Sequence, residues 1–218
     1  MPRIKYAGLI ERLRRSDLFT FRLLEGEVGR DYAKILVHNL RRRGEIVELL
    51  KGVYSFRKSP YMMVKAMPMS YIGLGTAAFL HGMWEQVPNI VVLSPLVSRI
   101  VRGGERDVAG MKVILRRISD DMFFGYELLY LEEIGGWIRI SDPEKTVVDM
   151  AYFKDPLLRE VLENAEVDGT RLNEYLGLME RRGVRGWRSA RRILRDVGER
   201  TSAQARRERE AASSRWTT

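Results

Sequence analysis

A helical pattern followed directly by a β-hairpin pattern is the feature that most constrains the fold. Apolar residues recur at positions i, i+3, i+4 and i+7 after Arg30, which predicts a helix with one buried face that ends at Gly44. These residues are Ala33, Leu36, Val37 and Leu40. Residues 45–56 then hold two β-prone runs around a Lys-Gly turn, the pattern of a hairpin. Shorter helical patterns over about residues 3–15 and 19–24 come first, so we predict a winged helix-turn-helix.

The rest of the chain predicts a second domain. Ser59-Pro60 interrupts the pattern, and runs rich in branched and aromatic residues alternate with helical patterns after it. We predict strands at about residues 90–94, 111–116, 126–132 and 137–140, and helices at about 60–67, 70–83, 142–151 and within 156–198. The expected fold class is α+β, with an N-terminal winged helix-turn-helix followed by a mixed α/β domain with C-terminal helices. The predicted domains are residues 1–58 and 59–198, followed by a basic, disordered tail over 199–218.

The positive charge of the chain is concentrated at its two ends. The net charge is +9, and residues 1–58 and 185–218 are basic, whereas residues 59–184 carry more acidic than basic side chains. A basic module at one end and a basic tail at the other are typical of proteins that bind nucleic acid through part of the chain. Double-stranded DNA is therefore the predicted partner.

Composition argues against most catalytic and metal chemistry. Cysteine is absent, which excludes thiolate catalysis and cysteine-ligated metals, and His38 and His81 are the only histidines. We therefore predict no catalytic residue, no metal site and no cofactor. No apolar run reaches the roughly 20 residues of a membrane span, and the first residues lack the apolar core of a signal peptide. This predicts a cytoplasmic protein without membrane contact.

The predicted DNA-binding side chains lie on the helix that begins at Arg30 and on the hairpin after it. Opposite its apolar stripe, this helix carries Arg30, Asp31, Lys34, His38, Arg41 and Arg42. A helix in the major groove needs early side chains that reach base edges and later basic ones that meet phosphates. The alternative is an ordinary solvated basic face. Lys51 at the hairpin turn is the predicted backbone contact. Glu48 brings a carboxylate nearby, so either its side chain faces away or the hairpin contributes little to binding. The alternative is a hairpin that only completes the small core through Val53 and Tyr54.

Polar residues further along the chain have both a functional and a structural interpretation. Glu144, Lys145 and Asp149 follow Asp142-Pro143, a typical helix start with Asp142 as the N-cap. The functional interpretation is a polar binding patch. The structural interpretation, a capped helix start with a surface ion pair between Lys145 and Asp149, is favoured. His81 is likewise interpreted as a buried, hydrogen-bonded histidine rather than a base, because no nucleophile lies near it in the sequence.

Three stretches within residues 5–155 form a set with a defined order and spacing. They are Leu40-Arg41-Arg42-Arg43-Gly44-Glu45-Ile46 with Lys51-Gly52-Val53-Tyr54, Tyr71-Ile72-Gly73-Leu74-Gly75-Thr76-Ala77-Ala78-Phe79-Leu80-His81-Gly82 with Gln86-Val87-Pro88, and Phe124-Gly125 with Ile140-Ser141-Asp142-Pro143-Glu144-Lys145-Thr146-Val147-Val148-Asp149. In this set the chain resembles the AbiEi family of transcriptional regulators, the antitoxin component of abortive-infection toxin–antitoxin systems.

This resemblance implies a function for each part of the chain. It implies an N-terminal winged helix that represses the protein's own operon, and a second domain that neutralises a nucleotidyltransferase-like toxin without needing a stable complex with it. It also marks Glu144, Lys145 and Asp149 as a signature of the second domain. Glu48 and the basic tail after Glu199 depart from the family pattern.

Two other functions stay open. A winged-helix transcription factor without a toxin partner would sense a small ligand, in a pocket lined by Trp84, Phe123, Phe124 and Trp137. A nucleotidyltransferase would need a Gly-Ser turn followed by two acidic residues one apart to hold magnesium, and the sequence contains no such string.

Overall fold

Helices and strands alternate along the chain in the computed structural model, which describes residues 6–86 and 89–199. The helices are α1 (Ala7–Arg15), α2 (Phe21–Val28), α3 (Arg30–Arg42), α4 (Met62–Ala66), α5 (Leu74–Leu80), α6 (Pro143–Phe153), α7 (Leu158–Asn164) and α8 (Gly169–Arg181). The strands are β1 (Phe19–Thr20), β2 (Val47–Leu50), β3 (Val53–Ser55), β4 (Tyr71–Ile72), β5 (Ile90–Ser94), β6 (Gly104–Val108), β7 (Met111–Arg117), β8 (Tyr126–Leu131) and β9 (Gly136–Ser141). Residues 187–199 are also helical. The predicted mixture of helices and sheets is confirmed.

The three N-terminal helices pack with a small antiparallel sheet whose strand order is β1-β3-β2. Their shared core consists of Leu9, Leu13, Phe19, Leu24, Ala33, Leu36, Val37, Leu40, Ile46 and Tyr54. Gly29, at φ +81°, lies between α2 and α3, and this backbone conformation favours glycine. Gly52, at φ +73°, lies in the turn between β2 and β3, where the positive φ likewise favours glycine. The N-terminal segment thus holds three helices and the predicted hairpin.

The segment over residues 19–24, predicted to be a helix, begins with a strand. Phe19 pairs with Tyr54 on β3, and the two ring centroids lie 5.5 Å apart. Thr20 then caps α2, because its hydroxyl oxygen accepts a hydrogen bond of 3.2 Å from the Leu23 N–H. The secondary structure at the start of this segment is set by pairing with a strand more than thirty residues away. No local sequence pattern reveals such pairing.

Six strands form a second sheet in the order β6-β7-β5-β4-β9-β8. β5 and β7 pair in parallel, β6 and β7 pair antiparallel, and β4 pairs in parallel with β9 through Ile72 and Ile140. All four predicted strands are present. β6 was not predicted because Gly104–Val108 is charged and mostly exposed, so no apolar alternation marks it. The helix predicted over residues 70–83 is shortened to α5, because Tyr71 and Ile72 form β4.

Contacts within the chain define two compact units. The first consists of Met1–Tyr71, Asn89–Ile118 and Leu128–Arg139, and the second of Ile72–Pro88, Ser119–Glu127 and Ile140–Thr218. This grouping differs from the predicted domains 1–58 and 59–198, whose boundary at Ser59-Pro60 stays a prediction. Both Ser59 and Pro60 are buried. The predicted tail lies outside the described residues from residue 200 onward.

Candidate nucleic-acid interface

α3 separates a buried apolar face from an exposed charged face. The buried face consists of Ala33, Leu36, Val37 and Leu40. The side chains predicted to contact DNA are all exposed, and they are Arg30, Asp31, Lys34, His38, Arg41 and Arg42 on α3 and Lys51 at the hairpin turn. Helical periodicity alone produces this separation, since residues three and four apart share one face. A charged surface of the first unit is therefore accessible to a partner.

Two cations in the first half of α3 have carboxylate neighbours. Lys34 Nζ lies 3.5 Å from Asp31 Oδ1, and Arg30 Nε lies 3.8 Å from Glu25 Oε1. These four side chains are between 39% and 94% exposed. Water therefore screens both pairs, and each contributes at most about 1 kcal/mol to stability. A phosphate or a base edge can replace either carboxylate at little cost.

A groove of about 520 Å³ lies beside α3. It is lined by Phe21, Lys34, Val37, His38, Arg41, Arg42 and Tyr54. Three of these side chains are cations and one is a histidine, so the groove suits a partner that is anionic or rich in hydrogen-bond acceptors. Neither Tyr54 nor Phe21 is among the residues predicted from the sequence to contact DNA. Both reach the groove from elements other than α3, and helical spacing could not have identified them.

Glu48 on β2 links the hairpin to α3. Its Oε2 lies 2.8 Å from Arg41 Nη1, and its Oε1 accepts a hydrogen bond of 3.1 Å from the backbone N–H of Gly52. Burial raises the pKa of Tyr54, and the negative charge of Glu48 raises it further. The sequence left the direction of Glu48 open, and the structure directs it towards Arg41.

The second unit contains a cluster of buried charges at the start of α6. Asp142 is the N-cap, as predicted: its Oδ1 accepts a hydrogen bond of 2.8 Å from the Lys145 N–H, and Pro143 occupies the first turn. The predicted ion pair between Lys145 and Asp149 forms, but its predicted location on the surface is wrong, because both side chains are 0% exposed. α6 packs against α5, α7 and α8, and the Phe124 ring lies over Lys145 Nζ. Burial lowers the pKa of Lys145, and the charge of Asp149 opposes that effect.

Two carboxylates at the start of α6 also bind α8 and the residue before it. Arg171 Nη2 lies 2.8 Å from Asp142 Oδ2, and the Tyr175 hydroxyl donates a hydrogen bond of 2.5 Å to the same oxygen. Glu144 Oε1 accepts a hydrogen bond of 2.9 Å from the backbone N–H of Asp168. Burial and the hydrogen bond to Asp142 raise the pKa of Tyr175 to about 12. Asp142 and Glu144 therefore fasten the N-terminus of α8 to α6.

His81 from the second family-like stretch and Gly125 from the third contact the same end of α6. His81 Nε2 donates a hydrogen bond of 2.7 Å to the carbonyl oxygen of Ser141, although the histidine is only half-buried. The Asp142 N–H donates one of 3.1 Å to the carbonyl oxygen of Gly125. We call His81, Gly125, Asp142, Glu144, Lys145 and Asp149 the α6 cluster. Stretches that are far apart in the sequence thus meet in one cluster of the second unit.

The aromatic residues considered for a ligand pocket have different surroundings. Trp84 is buried, and its indole N–H donates a hydrogen bond of 3.1 Å to Glu160. Phe124 is buried with its ring centroid 4.9 Å from Lys145 Nζ, a distance that allows a cation–π contact. Trp137 is 58% exposed. Trp84 and Phe124 are therefore engaged in packing within the second unit.

The part of the chain that the structure describes contains neither a metal-binding cluster nor a membrane-spanning helix. Within residues 6–86 and 89–199, no three His, Asp or Glu side chains are arranged to hold a metal ion. Across those same residues, no helix has the length and apolar character to cross a membrane. Comparison of the chain with protein-family models and with curated proteins finds no match.

Proposed function

We propose that α1–α3 and the β1-β3-β2 sheet form a winged helix-turn-helix that binds duplex DNA and regulates transcription of the protein's own operon. The order of three helices followed by a hairpin supports this, as does the exposed charged face of α3. In a helix-turn-helix the recognition helix lies in the major groove and other segments contact the phosphate backbone. α3 is the proposed recognition helix, and Lys51 at the hairpin turn is the proposed backbone contact.

The two faces of α3 are the observation that carries this proposal. The helix has thirteen residues and is therefore about 20 Å long, and its diameter suits a major groove about 12 Å wide. Lys34 and His38 lie one turn apart in the middle of the exposed face, where a docked helix approaches base edges. Arg42 lies in the last turn of α3. Its guanidinium forms no ion pair with any carboxylate in residues 6–86 and 89–199. Its charge is thus free to neutralise a phosphate.

Binding of the full chain to two duplexes tests the proposal. One duplex is selected from a randomised pool by the wild-type protein, and the other is a scrambled sequence of the same composition. Lys34→Ala should weaken binding to the selected duplex by roughly 1–3 kcal/mol and affect the scrambled one much less. Arg42→Ala should weaken both and reduce the slope of log affinity against log salt by about 0.9. Fluorescence anisotropy at three salt concentrations measures these quantities.

Arg15→Ala is the matched control, because Arg15 is an exposed arginine at the end of α1 that belongs to neither α3 nor the hairpin. We expect it to bind both duplexes as the wild-type protein does. If the pool yields no enriched sequence, or if Lys34→Ala binds the selected duplex unchanged, α3 is not a recognition helix.

The proposal extends to the second unit through the family resemblance. We infer that the protein also neutralises a nucleotidyltransferase-like toxin, as a member of an AbiEi-type system would. The α6 cluster supports this extension, because residues from separate family-like stretches contact one another there. The DNA contacts belong to the first unit and the α6 cluster to the second. The two functions can therefore be tested independently.

A further inference from the structure

We propose that Arg41 reads a base edge rather than a phosphate, and that Glu48 is the positioning residue that holds its guanidinium for this contact. The inference rests on the proposed DNA binding. Position along α3 suggests the opposite, because Arg41 lies in the last turn, where basic side chains usually meet the backbone. The contacts of Glu48 make Arg41 different from its neighbour Arg42.

Glu48 is held on both of its carboxylate oxygens. Oε1 accepts the Gly52 N–H and Oε2 pairs with Arg41. The Glu48 side chain is only 27% exposed, whereas the Arg41 side chain is 54% exposed. A carboxylate fixed in this way holds one edge of the guanidinium and leaves the rest of it accessible. The hairpin turn and the recognition helix are thereby joined at one residue.

A guanidinium that is fixed in one orientation by a carboxylate is well suited to recognise a base. Arginine has five N–H donors in a planar fork, and engaging Nη1 with Glu48 leaves donors available for two acceptors in one plane. Guanine presents such a pair, O6 and N7, in the major groove. Fixing the side chain before DNA arrives removes part of the conformational entropy that the contact would otherwise cost. Guanine is therefore the base that Arg41 is expected to read.

The carboxylate also disfavours non-specific binding. A phosphate approaching Arg41 would approach the negative charge of Glu48 as well, and Arg41 is already partly neutralised. Glu48 therefore weakens binding to every duplex, but it improves the geometry of the contact between Arg41 and one base. Specificity is the difference between the affinity for the selected duplex and the affinity for other duplexes, so Glu48 increases it. Arg42, which lacks this kind of neighbour among the described residues, is suited to a phosphate at any sequence.

Three variants of the full chain test the inference against the selected and scrambled duplexes described above. Arg41→Ala should reduce the preference for the selected duplex roughly five- to 150-fold, with the loss confined to one guanine when each base pair is changed in turn. Its salt slope should stay within about 0.3 of the wild-type value, since no phosphate contact is lost. Glu48→Gln keeps an acceptor for the Gly52 N–H but removes the charge. It should strengthen binding to the scrambled duplex and reduce the preference.

The double variant Arg41→Ala/Glu48→Gln should have the same preference as Arg41→Ala alone, because Glu48 acts through Arg41. Glu11→Gln is the control, as it removes one exposed carboxylate from α1. Melting temperatures check that each variant is folded. The inference is overturned if Glu48→Gln changes the affinity for both duplexes equally. It is also overturned if Arg41→Ala lowers the salt slope by about 0.9 and weakens binding to both duplexes alike. If the wild-type protein shows no preference among duplexes, the proposed function itself fails and this inference fails with it.

Discussion

At the scale of single residues, two ion pairs with the same helical spacing differ in their surroundings. Lys145–Asp149 and Arg159–Glu163 are both i,i+4 pairs, the first at 0% exposure and the second between 37% and 55% exposed. An exposed pair of this spacing contributes about 0.3–0.5 kcal/mol. A buried pair contributes little net stability when intact, yet removal of one member leaves a charge without water. Burial, not spacing, decides which case applies.

Lys145→Met is therefore expected to lower the free energy of unfolding by about 3–5 kcal/mol, because Asp149 would remain buried without its lysine. Asp149→Leu should cost a similar amount, because Lys145 would then remain buried without its carboxylate. The double variant should be less destabilised than the sum of the two single variants. Urea unfolding of the full chain gives all three values.

The surface pair supplies the control for this experiment. Arg159→Met should change the free energy of unfolding by no more than about 0.5 kcal/mol. Equal urea midpoints for Lys145→Met and Arg159→Met would show that the buried pair has no special role in stability.

At the scale of elements, the start of α6 depends on a close approach by the segment before β8. Gly125 has φ +64°, and a Cβ atom there would lie 3.0 Å from Lys145 Cβ and 3.0 Å from Tyr175 Cζ. Its carbonyl oxygen also accepts the Asp142 N–H at 3.1 Å. Glycine is thus needed both for its backbone conformation and for the space that a side chain would fill. This is a physical reason for the Phe124-Gly125 pair in the family-like set.

Gly125→Ala should destabilise the protein more than Gly135→Ala. Gly135 has φ +56°, but a Cβ atom there would meet no heavy atom within 4 Å. Gly135→Ala therefore measures backbone strain alone, roughly 1–2 kcal/mol, and Gly125→Ala should cost about 1–3 kcal/mol more through crowding. Thermal unfolding of both variants measures the difference. Equal losses would mean that Lys145 and Tyr175 move aside freely.

At the scale of the whole molecule, the proposed functions fall in different units. The candidate DNA contacts belong to the first unit, and the α6 cluster belongs to the second. Loss of DNA binding through substitutions on α3 should then leave toxin neutralisation intact. This separation is the property that distinguishes a two-function antitoxin from a regulator that represses toxin synthesis alone.

Co-expression in a bacterial host tests this expectation. The proposed antitoxin role requires a nucleotidyltransferase-like protein encoded beside the gene of this chain, and the test expresses that protein from a promoter that the chain does not regulate. Both the wild-type chain and Lys34→Ala/Arg42→Ala should restore growth, because neither substituted residue lies in the second unit. A toxin with its magnesium-binding carboxylates replaced is the control. Persistent growth arrest with the wild-type chain, or the absence of such a neighbouring gene, would contradict the antitoxin role.

Sequence alone determined the features that depend on neighbours within a few turns. The helix from Arg30, the hairpin at Lys51-Gly52 and the Asp142 cap all follow from helical periodicity, turn chemistry and capping. Several strand positions follow from runs of branched residues in the same way. The exposure of the charged face of α3 was also predictable, because its opposite face is apolar.

Packing between separate elements sets the features that depend on residues distant in the chain. β1 exists because Phe19 pairs with Tyr54, and β6 exists because β7 supplies its hydrogen bonds. The Lys145–Asp149 pair is buried because α6 packs against other helices and the Phe124 ring lies over Lys145, whereas its spacing would serve equally well on a surface. Glu48 meets Arg41 because a strand lies beside α3. Periodicity reports which residues share a face, but what covers that face is set by packing between separate elements.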